Sequence, residues 1–355
     1  MEIPVANIYY LLAYAWDKLA EQRIVLRNAD ACKTPLDLLA KILANGTTHL
    51  FKKGLDRNYR EQEDSLAGIK GKLLLAESLK QQTFQRGKAV CRFDEFNHDV
   101  LHNQILKATL GRLQNLKILD EKIRREVRLL FNRFHEVSDI SLSTPVFRRV
   151  QLHRNNQFYG FLLHVCELLN DNLLPDEEPG QFRFRDFLKD EKQMPGLFEA
   201  FVRNFYKREL GGGFRVKRDD IYWQFSSNSA AAHDFLPKMQ TDMTLRSNDR
   251  KIIVETKFYK DILTQHLGGR DKFRGEHLNQ IFSYLKNQPP DDPLSDRAEG
   301  ILLYACAGAA VAPADYTNAS HRIAVRTVDL SADWQHISEQ LKRIIETTEI
   351  SETQQ

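Results

Sequence analysis

The stretch that most constrains this chain is Lys251–Tyr259, KIIVETKFY, where Ile252, Ile253 and Val254 run straight into Glu255-Thr256-Lys257. An unbroken apolar run of this length suits a strand covered on both faces. An acid and a lysine at its end are costly to bury unless they have partners or a task. Residues two apart on a strand share a face, so Glu255 and Lys257 project together and Thr256 points to the other side. The preceding segment Lys238–Arg246, KMQTDMTLR, joined through Ser247-Asn248-Asp249-Arg250, forms an antiparallel hairpin with it. That pairing brings Asp242 within cross-strand reach, so two carboxylates and an ammonium converge.

This convergence suits phosphodiester cleavage. Mg²⁺ is a hard ion that takes oxygen ligands, commonly one or two carboxylates plus waters and phosphate oxygens. Asp242 and Glu255 fit that role, and the carbonyl of Thr256 could add a ligand. The ion would lower the pKa of a bound water and polarise the phosphate. Lys257 would orient that water or stabilise the developing charge. Spacing alone is a weak signal, and a solvated surface hairpin carries the same letters. Two further elements point to the same place. Gln280 and Tyr284 lie four apart on one face of a predicted helix Glu276–Lys286. Glu199, on a predicted helix Pro195–Leu210, is either a further metal ligand or a solvated helix residue.

The rest of the chain bounds the context. Its 355 residues suit two domains. With 51 Lys and Arg against 48 Asp and Glu, the net charge of +3 does not announce independent nucleic-acid binding. Cys32, Cys91, Cys166 and Cys306 are scattered, which suits reduced thiols in a cytoplasmic protein and argues against a disulfide framework or a structural zinc site. No apolar run is long enough to span a bilayer, and the N-terminus lacks the marks of a signal peptide. No P-loop motif occurs, so nucleotide hydrolysis belongs to another chain.

Asn7–Ala20 is apolar nearly all round and reads as a buried or partner-docking helix. Thr34-Pro35 opens a second helix, with Thr34 as its cap. Thr47–Arg92 reads as short strands turning near Gly54, Gly68, Gly71 and Gly87. Asn103–Leu119, Asp120–Phe134 and Phe158–Asn170 read as helices, the second carrying Lys122, Arg124, Arg125, Arg128 and Arg133. His98, His102, His153 and His164 read as structural or exposed. Asn172–Gly180, with two prolines and three acids, reads as a linker. The expected organisation is a partner-docking domain over 1–175, a second domain over 181–350 and a frayed tail over 351–355. The fold class is α/β (mixed α+β), with a C-terminal mixed sheet flanked by helices.

Asp242, Glu255-Thr256-Lys257 and Gln280-xxx-Tyr284, after a helix bearing Glu199, resemble the PD-(D/E)xK nuclease superfamily. Val5–Trp16, Gly68-Ile-Lys-Gly-Lys72, Phe182–Phe187 and Arg208-Glu-Leu210 extend the likeness over nearly the whole chain to the McrC family of McrBC modification-dependent restriction systems. Thr241 stands where the superfamily often has proline. The resemblance implies a Mg²⁺-dependent endonuclease subunit cutting double-stranded methylated DNA. It implies a hexameric McrB-like AAA+ GTPase as partner, which binds the GTP and is stimulated by this chain. It also implies self-association through the nuclease domain. The alternatives are a non-catalytic adaptor of an NTPase and a nuclease acting alone, with Arg270, Lys272 and Arg274 holding the backbone.

Overall fold

The computed structural model of the chain describes residues 3–19, 32–175, 182–226, 232, 234–259, 262–264, 271–308, 310–318 and 321–346. They form two units, one from residues within 23–185 and the other from residues within 1–22 and 186–355. The first helix, α1 (Val5–Ala15), therefore belongs to the C-terminal unit, not to an N-terminal domain over 1–175. The reason is its nearly all-round apolar surface, which the C-terminal unit covers.

In the unit within 23–185, α2 (Pro35–Lys53) starts as expected: the Thr34 hydroxyl accepts the Asp37 amide at 3.1 Å. It runs through His49–Lys53, a stretch expected to be strand. Leu39, Leu43, Gly46 and Leu50 continue the buried helical stripe, and the helix stops only at Gly54, whose φ is +97°. Strands β1 (Asn58–Leu66), β2 (Lys72–Leu73) and β3 (Ala89–Asn97) form an antiparallel sheet in the order β1-β3-β2. Helices α3 (Leu101–Leu113), α4 (Glu121–Asn132) and α5 (Phe158–Asn172) follow. On α4, Ile123, Val127 and Leu130 are buried while Lys122, Arg125 and Arg128 face solvent. Part of the expected linker is strand: Leu173–Pro175 pairs antiparallel with Phe182–Phe184, which closes this unit. Residues 176–181, the tail 351–355 and Arg270 lie outside the described residues.

The C-terminal unit is built on α6 (Gln193–Glu209) and a six-stranded mixed sheet. Its strands are β4 (Arg215–Lys217), β5 (Met243–Arg246), β6 (Lys251–Phe258), β7 (Glu299–Cys306), β8 (Ala314–Asn318) and β9 (His321–Asp329). The order is β8-β9-β7-β6-β5-β4, with β6–β7 and β7–β9 parallel and the other pairs antiparallel. The edge strand β8, ADYTN, has no apolar alternation to announce it. The crossover from β6 to β7 carries α7 (Gly275–Lys286), and α8 (Trp334–Glu346) closes the chain described. Gly300 lets α7 lie close to the sheet, since a Cβ there would sit 2.7 Å from Ile281 Cγ1.

Aromatic side chains bind α1 to this unit. Tyr10 stacks on Trp334 at 4.4 Å, and the Tyr14 ring lies 5.3 Å from Phe205. Asn7 Nδ2 donates to the Leu330 and Ala332 carbonyls at 2.9 and 2.7 Å, and Asn204 Nδ2 donates to the Tyr14 and Ala15 carbonyls at 3.0 Å each. The architecture is the mixed α+β fold expected from the sequence, with a helix-flanked mixed sheet in its C-terminal part.

Candidate active site

The register of β5 and β6 sets the site. Thr244 pairs with Ile253 and Met243 with Val254, and the ladder stops there. Asp242, the next residue, stands opposite Glu255 with no ladder bond to make. Its side chain takes over: Asp242 Oδ2 accepts the Thr256 amide at 2.7 Å and the Thr256 hydroxyl at 2.6 Å. Thr256 was expected to point away from the carboxylates. At the frayed end of the pair its hydroxyl instead helps clamp Asp242.

Glu255 and Lys257 share a face, with Lys257 Nζ donating to Glu255 Oε1 at 2.8 Å. The same ammonium donates to Gln280 Oε1 at 2.8 Å; Gln280 Nε2 donates to Tyr284 OH at 2.8 Å; and that hydroxyl donates to the Gln240 carbonyl at 2.9 Å. The chain of bonds has one direction. Lysine only donates and the backbone carbonyl only accepts, so the Gln280 amide has one orientation and Tyr284 keeps its proton. Burial, reinforced by the Glu255 charge, pushes the Tyr284 hydroxyl up to about 12. The network ties α7 both to β6 and to the residue two before Asp242.

Glu255 is 4% exposed, and burial together with the Asp242 charge raises its carboxyl to about 7 against the pull of Lys257. Its Oε2 is buried without a hydrogen-bond partner. A buried carboxylate oxygen with no donor is unfavourable unless a cation completes it. A cleft of 190 Å³ opens here, lined by Pro195, Glu199, Asp242, Glu255, Lys257 and Tyr259 among others. Asp242 and Glu255 are hard oxygen donors of the kind Mg²⁺ takes, with waters and substrate oxygens filling the remaining positions. Among the described residues, no three His, Cys, Asp or Glu side chains gather closely enough to hold a metal by themselves.

Glu199 lies at the cleft, but its Oε1 is in ion pairs with Arg203 and, at 2.7 Å, with Arg218. Burial and Asp242 raise its carboxyl, and the two arginines lower it. Arg203 also donates to the Asp242 carbonyl at 3.3 Å. Arg203 went unremarked in the sequence, although its position four residues after Glu199 is a readable helix pairing. Arg218 had no local signal.

Behind Lys257 lies a second polar contact, His277 Nδ1 to Tyr304 OH at 2.8 Å. Burial and the Lys257 charge lower His277 to about 4, so it is neutral at neutral pH. Of the basic loop residues, Lys272 sits on a short strand, Lys272–Phe273, paired with Leu263–Thr264, and Arg274 lies over the Tyr259 ring at 5.0 Å. In the other unit, two of the histidines read as structural or exposed share an acid: Asp56 Oδ2 lies 2.9 Å from His102 Nε2 and 3.9 Å from His153 Nε2. Some fifty and a hundred residues separate these partners, too far for spacing to reveal.

The profile described as the McrBC 5-methylcytosine restriction system component matches residues 7–305. The chain belongs to this family. It is 33% identical over 344 residues to the type IV methyl-directed restriction enzyme EcoKMcrBC of Escherichia coli K12, covering 97% of each chain. It also superposes on a chain of a refined half-complex from a tetradecameric assembly of Thermococcus gammatolerans McrB AAA+ hexamers with bound McrC. That match has a TM-score of 0.59 and 18% identity, over 96% of this chain and 76% of the other. The likeness is one of fold. A second structure, of the T. gammatolerans McrBC complex, aligns over 59% of each chain at 20% identity with a TM-score of 0.44. The family member described here is thus a restriction-system component. No helix among its described residues is long and apolar enough to cross a membrane.

Proposed function

We propose that this family member is the cutting subunit of a methylcytosine-directed restriction complex, a Mg²⁺-dependent endodeoxyribonuclease acting on double-stranded DNA. The observation that carries the reading is Glu255 Oε2, buried and unpartnered beside Asp242 and Lys257. Asp242 and Glu255 would hold the ion, with the Thr256 carbonyl as a further donor. When bound, the ion supplies polarisation of the phosphate and acidification of a water.

The chain's own residues do the rest. The Thr256 amide and hydroxyl hold the Asp242 carboxylate in one rotamer. Lys257, anchored by Glu255 and Gln280, keeps its ammonium at the cleft, where it orients the attacking water and offsets charge developing on the phosphate. Gln280 and Tyr284 hold that lysine in place and fix the spacing between α7 and the Asp242 turn. Lysine orientation through a glutamine amide needs Oε1 facing the ammonium, which the Tyr284 hydroxyl enforces by accepting from Nε2.

The partner in this reading is an McrB-like AAA+ GTPase hexamer, which binds and hydrolyses GTP and is stimulated by this chain. The T. gammatolerans assembly of McrB hexamers with bound McrC supports that assignment by family likeness. Self-association through the nuclease unit is part of the same proposal. The test is reconstitution with the neighbouring GTPase, GTP and Mg²⁺ on methylated and unmethylated plasmids. Wild type should cut the methylated plasmid, and Asp242→Ala and Lys257→Ala should lose cutting while still stimulating GTP hydrolysis. Wild type that stimulates the GTPase but never cuts would instead establish the non-catalytic adaptor. Cutting without the GTPase would establish a nuclease acting alone.

A further inference from the structure

Two acids line the cleft beside Lys257, Glu199 and Asp242, and two arginines, Arg203 and Arg218, close on Glu199. Arg203 is 22% exposed and Glu199 16% exposed. Arg203 NH1 has two acceptors: the Glu199 carboxylate, four residues earlier on α6, and the Asp242 backbone carbonyl at 3.3 Å. Arg218, which follows β4 and is 45% exposed, closes on Glu199 from the other side at 2.7 Å. Asp242 lies between β5 and the short strand Met239–Gln240, outside the β5–β6 ladder. Its backbone thus has no sheet partner, and Arg203 supplies the bond from α6.

We infer that Arg203 is a positioning residue of the cut site: it fixes the turn that presents the Asp242 carboxylate, and Glu199 serves as its anchor. This inference rests on the proposed nuclease reading. Electrostatics support it. An unneutralised Glu199 would set a third negative charge beside Asp242 and Glu255, which lie next to where an anionic phosphate must come. Two guanidiniums on Glu199 Oε1 remove that repulsion, and the bond to the Asp242 carbonyl turns the same arginine into a strut. The planar guanidinium can serve two acceptors at once, which a lysine ammonium on a flexible stem does with less geometric control. The sequence left Glu199 as either a further metal ligand or a solvated helix residue. With Glu199 as anchor, the divalent ion needs it only indirectly.

The test compares Arg203→Ala, Arg203→Lys, Glu199→Gln and Asp242→Asn in the full-length chain. Ca²⁺ binding is read by calorimetry on the chain alone, and cutting is read in the reconstituted complex. Arg203→Ala should weaken Ca²⁺ about tenfold and lower kcat about tenfold or more, with KM for DNA within about twofold. Arg203→Lys should recover part of both losses, and Glu199→Gln should fall short of Asp242→Asn. Circular dichroism and melting temperature establish that each variant is folded. Arg203→Ala with wild-type Ca²⁺ affinity and kcat overturns the inference. So does Glu199→Gln as damaging to Ca²⁺ binding as Asp242→Asn, which would make Glu199 a ligand. If Asp242→Asn itself leaves cutting intact, the proposed cut site at Asp242 is wrong, and if wild type never cuts, the nuclease reading fails; both results are distinct from the two above.

Discussion

Replacing Glu255 by glutamine should shift the stability of the metal-free chain in a way that depends on pH. Burial and the Asp242 charge hold this carboxyl at about 7, against an ordinary value of 4.5. Below pH 4.5 it is protonated in both folded and unfolded chains and its ionisation costs nothing. Between 4.5 and 7 the unfolded chain releases the proton while the folded chain keeps it, so stability falls as pH rises. Above 7 the whole cost is present, about 3 kcal/mol at about 1.4 kcal/mol per pH unit. Glutamine keeps the Oε1 acceptor for Lys257 and cannot ionise. Its extra N–H adds a roughly constant penalty of about 1–3 kcal/mol, because the Oε2 position has no partner to offer. The quantity to read is therefore the change with pH of the stability difference between variant and wild type. Chemical denaturation at pH 5, 6, 7 and 8 without divalent ions measures it. The variant should gain by about 2–3 kcal/mol relative to wild type from pH 5 to pH 8, and Ca²⁺ should stabilise wild type but not the variant at pH 8. A difference that stays flat across this range would refute the reasoning.

Below pH 7, apparent Ca²⁺ affinity of wild type should rise by up to about tenfold per pH unit, since binding must displace the Glu255 proton; calorimetry in two buffers would count that proton. Tyr284→Phe, which removes the hydroxyl between Gln280 and the Gln240 carbonyl, should cost about 1–2 kcal/mol in denaturant unfolding and lower kcat more than it raises KM. Gly300→Ala should destabilise by about 1–3 kcal/mol, because the new methyl meets Ile281 and Leu285 under α7. Asn7→Ala should loosen α1 from the C-terminal unit at a cost of about 1–3 kcal/mol, seen as faster amide exchange over 5–15.

The parts of the site legible in sequence are those set by local periodicity. A period of two placed Glu255 and Lys257 together, and a spacing of four placed Gln280 with Tyr284. Asp242 followed from the hairpin, because a four-residue turn fixes the register of the strands it joins. What escaped depends on contacts distant in sequence or on strand ends. Thr256 reaches Asp242 only because the β5–β6 ladder ends one residue short. The ion pair from Arg218 to Glu199 joins the segment after β4 to a helix. For the fold, the apolar all-round character of α1 marked it as buried without naming what buries it, and sequence adjacency wrongly gave it to the N-terminal part. The strand expected over His49–Leu55 fails because the buried stripe of Leu39, Leu43, Gly46 and Leu50 carries α2 through this stretch to Lys53. The polar edge strand β8 has its place set by pairing with β9 and has no pattern of its own.

The central claim, a divalent ion held between Asp242 and Glu255, is tested most directly by iron-directed backbone cleavage. Fe²⁺ loaded in place of Mg²⁺, with ascorbate and peroxide, produces short-lived oxidants that cut the polypeptide next to the bound ion. Cuts should map to residues near 242 and 255–257, be suppressed by excess Mg²⁺ and vanish in Asp242→Ala. Cuts elsewhere in the chain, or an unchanged pattern in Asp242→Ala, would contradict the account.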